Sequence, residues 1–573
     1  MTLSNRMSIP HHSVTKSLLV SGLLLFGLPS VMLAQQPTKP AKPSEIESQE
    51  ITVEKSRRIE LPPATRIINK IPAPKPNTDA RKLTYEFQDR KLTIGDPRIQ
   101  PTVLTPAQAQ AEGRTALSNY VKIGAGNYNT FYGEGFYQTS TASGLGVEAS
   151  ARHLASAIGP VDGANSAQRE TRLDLKGSYN TGNMKLTGGV GFDQQRYFFY
   201  GYRPITENGA RVVPNRDSLL QRLSTFRLNL GIENTGKDQA VDYSLRTNLS
   251  SLRDAYRAAE TDWSTHFQSS LAITDNIVAL VDADASLTQR VDRETDTRNL
   301  FRLRPAFKYT APNFAVTLAL NAVNETDKRL GINNTRAFPV VNIDVVPAGN
   351  IHFFAGLDGD IVRNTLQSFL SENRWLAPDV VLANTTKSYD IYGGSKGQLG
   401  NGFSYEGKVS YARYRNFYAF NNTLADTTKF YTLYDGGYAQ VLTLSGQIGY
   451  SPNDNFRSTL KADVFRYDLD RLDEAWGRPR VSASWQNSYS LEKKLFVTSD
   501  FYVYGGIHNK NFVTNETVRL PVIYDLNLKI DYLLGKQVSA FISFNNILGQ
   551  TYQRYLYYRV QGLNFLGGIS YSF

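Results

Sequence analysis

The chain has 573 residues, a formal charge of +11, no cysteine, 33 tyrosines and 29 phenylalanines. Its mean hydropathy is −0.36, which excludes a bundle of transmembrane helices. The absent cysteines exclude disulfides and thiolate metal sites, and the basic residues are spread along the chain rather than clustered, so nucleic acid is not an expected partner.

The first segment, residues 1–34, places Arg6 and Lys16 before the apolar run "SLLVSGLLLFGLPSVMLA". This reads as a secretory signal peptide with cleavage after Ala34. A membrane anchor is the alternative, but the run is short and holds Gly22, Gly27 and Pro29.

Residues 35–118 differ in character. About eleven of the 24 prolines fall here, in stretches such as "QQPTKPAKPSE" and "IPAPKPNTDARK". Proline removes a ladder donor, so an extended or disordered segment is expected, periplasmic or lumenal in its placement. A short helix is expected after Thr105, with Pro106 in its first turn.

From Asn119 to Phe573 the apolar residues alternate. Leu173, Leu175, Gly177 and Tyr179 interleave with Arg172, Asp174, Lys176 and Ser178. Tyr405, Val409 and Tyr411 interleave with Glu406, Lys408 and Ser410; Tyr524, Leu526, Leu528 and Ile530 interleave with Asp525, Asn527 and Lys529. Each run is a strand between two unlike environments. Short turns ("NTGN" at Asn180, "TDN" at Thr274, "SPNDN" at Ser451) alternate with long polar or aromatic connections (Ser156 to Arg169, Tyr202 to Asn215, Asp360 to Lys387, Asn416 to Gly436, Gly549 to Gly562). One-sided loops predict an all-β, transmembrane antiparallel β-barrel of about 22 strands in the outer membrane. The segment "KFYTLY" at Lys429 reads either as a barrel strand or as a hairpin within a loop, which leaves sixteen to twenty-four strands open. On the last strand Phe565, Tyr571 and Phe573 are expected to face lipid, and the lumenal charges to pair across strands.

The terminal "FISFNNILGQTYQRYLYYRVQGLNFLGGISYSF" resembles the C-terminus of TonB-dependent receptors, with Asn546, Ile547, Tyr552, Gly562, Phe565 and Phe573 at matching places and Leu563 where a basic residue is usual. The start "NYVKIGAGNYNTFYGEGFYQT" is similar to the first hairpin of plug-less, barrel-only relatives in the Bacteroidota. The resemblance implies an outer-membrane receptor or transport barrel that binds or passes a solute and is not an enzyme. It also implies that Tyr571 and Phe573 belong to a C-terminal signal for the barrel assembly machinery. Family receptors carry a large globular plug, and the 84 residues between Ala34 and Asn119 are too few for one. Ile51, Thr52 and Val53, within "EITVEKSRRIELP", resemble a TonB box, which would make TonB a partner. The alternative is a barrel that transports nothing and serves as a scaffold in an envelope complex, with the proline-rich segment reaching periplasmic partners.

No cofactor is expected, and His153, His266, His352 and His508 are too far apart in sequence for a local metal motif. Candidate ligand-binding residues lie in aromatic and basic clusters at the expected outer ends: Arg196, Tyr197, Tyr200 and Tyr202; Arg413, Tyr414 and Arg415; Tyr555, Tyr557 and Arg559. Tyr and Arg together suit polar or aromatic ligands. The same residues equally suit an outer aromatic girdle beside membrane lipids and lipopolysaccharide.

Overall fold

A computed structural model describes residues 119–573 apart from 142, 204, 208–209, 236–240, 349, 424–425 and 513. The signal peptide, the proline-rich segment and the Ile51, Thr52 and Val53 box lie outside the described residues. Twenty-two strands form one antiparallel sheet. Each strand pairs with its neighbour in sequence, and the last, Asn564–Ser572, pairs back onto the first, Tyr120–Gly126, from Tyr120↔Ser572 to Gly126↔Leu566. The sheet therefore closes and leaves no edge, the condition for a β-structure to cross a bilayer.

The alternation sorts side chains as the sequence predicts. On the last strand Phe565, Ile569 and Tyr571 are exposed on the outer wall, while Leu566, Ser570 and Ser572 are buried on the inner face. The inner charges pair: Arg172 with Asp193 at 3.0 Å, Arg227 with Asp174 at 3.0 Å, Lys176 with Glu148 at 2.7 Å and Lys529 with Asp531 at 2.9 Å.

Tight turns join the strands at one end and longer loops at the other, which by the general rule is the outer end. "KFYTLY" is a loop hairpin. Its strand Phe430–Tyr434 pairs with Tyr418–Asn422 and not with the barrel, so the barrel count of 22 stands without it. The longest strands, Thr295–Ala311 and Ile332–Ala348, have 17 residues, whereas the closing strands Tyr120–Gly126 and Asn564–Ser572 have 7 and 9.

Candidate functional site at the outer mouth

The loop between strands Ile351–Val362 and Thr385–Gly400 carries a helix, Leu366–Glu372. Its start is set by a capping box: the Ser368 N–H donates to the Thr365 hydroxyl, and the Thr365 N–H to the Ser368 hydroxyl. Leu366, Phe369 and Leu370 lie at helical spacing and are all buried. A barrel loop has no core of its own, so this apolar face needs partners from other loops.

Those partners converge. The helix and the chain after it pack with Tyr197 and Tyr200 from the end of strand Met184–Phe198, with the hairpin Tyr418–Tyr434, and with Tyr555 and Tyr558 from the last loop. The Trp375 ring centroid lies 4.1 Å from Tyr558 and 5.8 Å from Tyr555, Tyr200 lies 4.8 Å from Tyr558, and Phe369 lies 4.6 Å from Tyr418 and 5.5 Å from Phe420. Hydroxyls tie the rings to backbone: Tyr555 donates to the Glu372 carbonyl at 2.7 Å, Tyr200 to that of Arg559 at 2.9 Å, and Tyr197 to that of Arg374. Four stretches far apart in sequence thus form one apolar cap.

Charged residues of the barrel wall hold the cap. Arg298 donates to the Asn364 carbonyl at 2.6 Å and to the Asn384 amide oxygen at 2.7 Å, while its Nε meets Asp327 at 2.9 Å. Arg290 donates to the carbonyls of Pro378, at 2.8 Å, and Val380. The Glu260 carboxylate accepts the N–H groups of Leu366 and Gln367. These side chains are almost completely buried, so each leaves a large desolvation penalty if its partner is lost.

A second charge pair sits inside the cap. Arg478 is buried, donates to the Tyr418 carbonyl at 2.9 Å and lies 3.6 Å from Glu372. Burial works against its charge, but the Glu372 carboxylate and the Tyr418 and Tyr467 phenols together outweigh that and raise the guanidinium pKa. Burial, then the same carboxylate, pushes the Tyr418 phenol well up. Asn509 is fully buried, and neither atom of its side-chain amide has a partner.

The residues singled out in the sequence divide. Tyr197, Tyr200 and Tyr555 come together in the cap, with the Arg559 carbonyl accepting at its edge. Tyr202 belongs to a separate cluster with Phe198 and Leu219, its hydroxyl donating to Asp162. Arg196 stands over Phe198, 5.9 Å from its centroid, and Tyr557 packs beside Ile507 and Leu520. Tyr414 points inward onto Phe417 and Val441. Arg413 and Arg415 take the opposite face of their strand, with the exposed Val409 and Tyr411, and stand outside the barrel. The sequence does not single out the helix Leu366–Glu372, Trp375 or the wall anchors Glu260, Arg290 and Arg298. The spacing of Leu366, Phe369 and Leu370 after Thr365 is the one local signal for them.

Among the described residues one group has metal-ligand spacing: His266, Asp282 and Asp284, whose ligand atoms lie within 4.8 Å of one another. Arg302 already donates to Asp284 at 2.8 Å, so a guanidinium meets that charge.

No family model and no curated protein matches the sequence. Solved structures do match. The FrpB iron transporter from Neisseria meningitidis superposes with a TM-score of 0.63 at 10% identity, over 79% of this chain and 81% of that one. The pyoverdine outer membrane receptor FpvA from Pseudomonas aeruginosa, bound to pyoverdine, gives 0.61 at 12%, over 79% and 78%. The siderophore receptor PiuA from Acinetobacter baumannii gives 0.61 at 8%, over 81% and 82%. The chain therefore has the 22-stranded barrel fold of outer-membrane receptors that the sequence resemblance implied.

Proposed function

We propose that the protein is an outer-membrane barrel of the TonB-dependent-receptor type that binds or passes a solute, with its outer mouth held shut by its own loops. The observation that carries this reading is the wall-anchored cap, which joins four loop regions over the end of the lumen. Its buried aromatic rings and the unpaired Asn509 amide suit a polar or aromatic solute. In this reading Ala34 ends the signal peptide, residues 35–118 lie in the lumen or the periplasm, and Ile51, Thr52 and Val53 are the contact for TonB. Outer-membrane lipids, lipopolysaccharide and the assembly machinery are the remaining partners.

The cap also favours a second reading, a closed scaffold barrel of an envelope complex, because a mouth sealed by an apolar core resists opening. Single-channel conductance separates the two. The mature chain is compared with one lacking 35–117 and one lacking 366–382. A wide barrel conducts unless something fills it. Conductance gained on either deletion supports a gated solute path. No conductance from any of the three forms, with other envelope proteins co-purifying, supports the scaffold.

A further inference from the structure

The bilayer-facing wall carries a dent in its outer half. Strands Ile351–Val362, Thr385–Gly400 and Phe403–Arg415 lose register at one level, between Asp358 and Asp360 and again between Lys387 and Tyr389. Both shifts come from one extra residue in the middle strand, Ser388, a bulge that kinks the strand and re-aims its side chains. Beside them lies a groove of about 350 Å³, lined by Pro339, Leu357, Tyr389, Ile391 and Tyr411. Ile391 is 55% exposed and Tyr411 38%, so this groove opens to the membrane and not to the lumen. Asp358 also borders it, but its carboxylate is held by Lys387 at 2.8 Å.

Two arginines stand at the upper edge of the groove. Arg413 comes two residues after Tyr411 on the same face and is the register partner of Tyr389. Arg415 comes next on that face. Both guanidinium groups lie on one ring: 3.5 Å from the Tyr438 centroid for Arg413 and 4.5 Å for Arg415, which also donates to the Tyr438 hydroxyl. Tyr411 donates to Gln440 beside them. The arginines of the lumen are matched with carboxylates, as Arg172, Arg227 and Arg302 show. Arg413 and Arg415 pair with no carboxylate among the described residues, and the Arg413 Nε is buried without an acceptor. Two like charges stacked on one ring at the edge of a low-dielectric phase need an external anion. The planar guanidinium matches a phosphate with two parallel hydrogen bonds.

We infer that this groove and arginine pair bind a phosphate-bearing lipid of the outer leaflet, with an acyl chain along Pro339, Leu357 and Ile391 and the phosphate on Arg413 and Arg415. The apolar trough gives the chain a fixed bed, and the bulged Ser388 lines one side of it. The Tyr438 ring holds the two forks close together.

Native mass spectrometry of the full-length protein, released from zwitterionic detergent, tests this with diphosphoryl lipid A and its dephosphorylated counterpart as probes. The wild type should retain the phosphorylated lipid and discriminate against the other. The double variant Arg413→Gln/Arg415→Gln should weaken retention about tenfold, the loss of a charge-assisted pair of bonds. Arg413→Lys/Arg415→Lys should fall between, since it keeps charge without the fork. Ile391→Trp, which fills the trough and spares the charges, should weaken it too. Arg257→Gln, an exposed loop arginine, should leave it unchanged. Heat-modifiable gel migration confirms that each variant is folded. Equal retention of both lipids, full retention by the Gln variant, an equal loss in Arg257→Gln, or displacement of the lipid by inorganic phosphate alone would overturn the inference.

Discussion

The Glu260 carboxylate, on the barrel wall, accepts the backbone N–H of Leu366, the first residue of the loop helix, at 2.7 Å, and that of Gln367 at 3.1 Å. The wall thus satisfies two orphan donors of a helix that begins 106 residues later in the chain. Glu260→Ala would leave both donors buried and unmet, at a cost of about 1–3 kcal/mol to the docked loop. The expected outcome is faster proteolysis within 366–382 on intact cells with the barrel intact. Unchanged cleavage would mean that the wall does not hold the cap.

Phe369 touches both Tyr418 and Phe420, joining the helix to the hairpin. Truncation to alanine removes a buried ring and should cost the cap about 3–5 kcal/mol. The barrel is held by its own ladder, so the cap should melt first. A separate low-temperature transition in near-ultraviolet circular dichroism is the signature, with the barrel transition unmoved.

Asp426 sits at the tip of the loop hairpin. Burial pushes its carboxyl pKa up, but the Lys429 ammonium at 2.6 Å and the hydroxyl and N–H of Thr428 together hold it below the ordinary value. A depressed carboxylate pKa stabilises the fold fully above the unfolded value of about 4, and that contribution is lost as pH falls through the folded value. Acid titration of the aromatic circular dichroism should show the hairpin loosening only below that range. Asp426→Asn should remove this step.

The Phe573 N–H donates to the Asn119 carbonyl at 2.9 Å, beyond the last ladder pair, Tyr120↔Ser572. The exposed Phe573 and Tyr571 rings stack on the outer wall, 6.3 Å apart. Deleting Phe573 alone should leave closure geometrically possible but lower the amount of folded protein in the outer membrane several-fold, read by surface labelling. Normal levels would remove the C-terminal residue from any role as an assembly signal.

The barrel is legible in the sequence because period-two alternation and one-sided loops are local signals. Leu173 to Tyr179, or Tyr524 to Ile530, state their own faces without knowledge of any neighbour. The cap is not legible to the same degree. Tyr197 and Tyr555 are visible as an aromatic excess, but nothing near either says that one reaches the Arg374 carbonyl and the other the neighbouring Trp375 ring. Glu260, Arg290 and Arg298 look like any lumenal charge until loop 363–384 folds back onto them. The bulge at Ser388 is equally hidden, since a one-residue slip appears only when two strands are laid side by side. Arg413 and Arg415 read as basic residues at an outer end, and parity alone places them on the outer wall.

The uneven strand lengths have a mechanical consequence. A strand rises about 3.3 Å per residue, so the 7-residue strand Tyr120–Gly126 raises a much lower wall than the 17-residue strand Ile332–Ala348 halfway round. A bilayer adapts to an apolar wall of the wrong height by thinning, at a modest elastic cost for each ångström. This barrel therefore presents the membrane with a rim of varying depth, and leaflets pinch toward its closing seam.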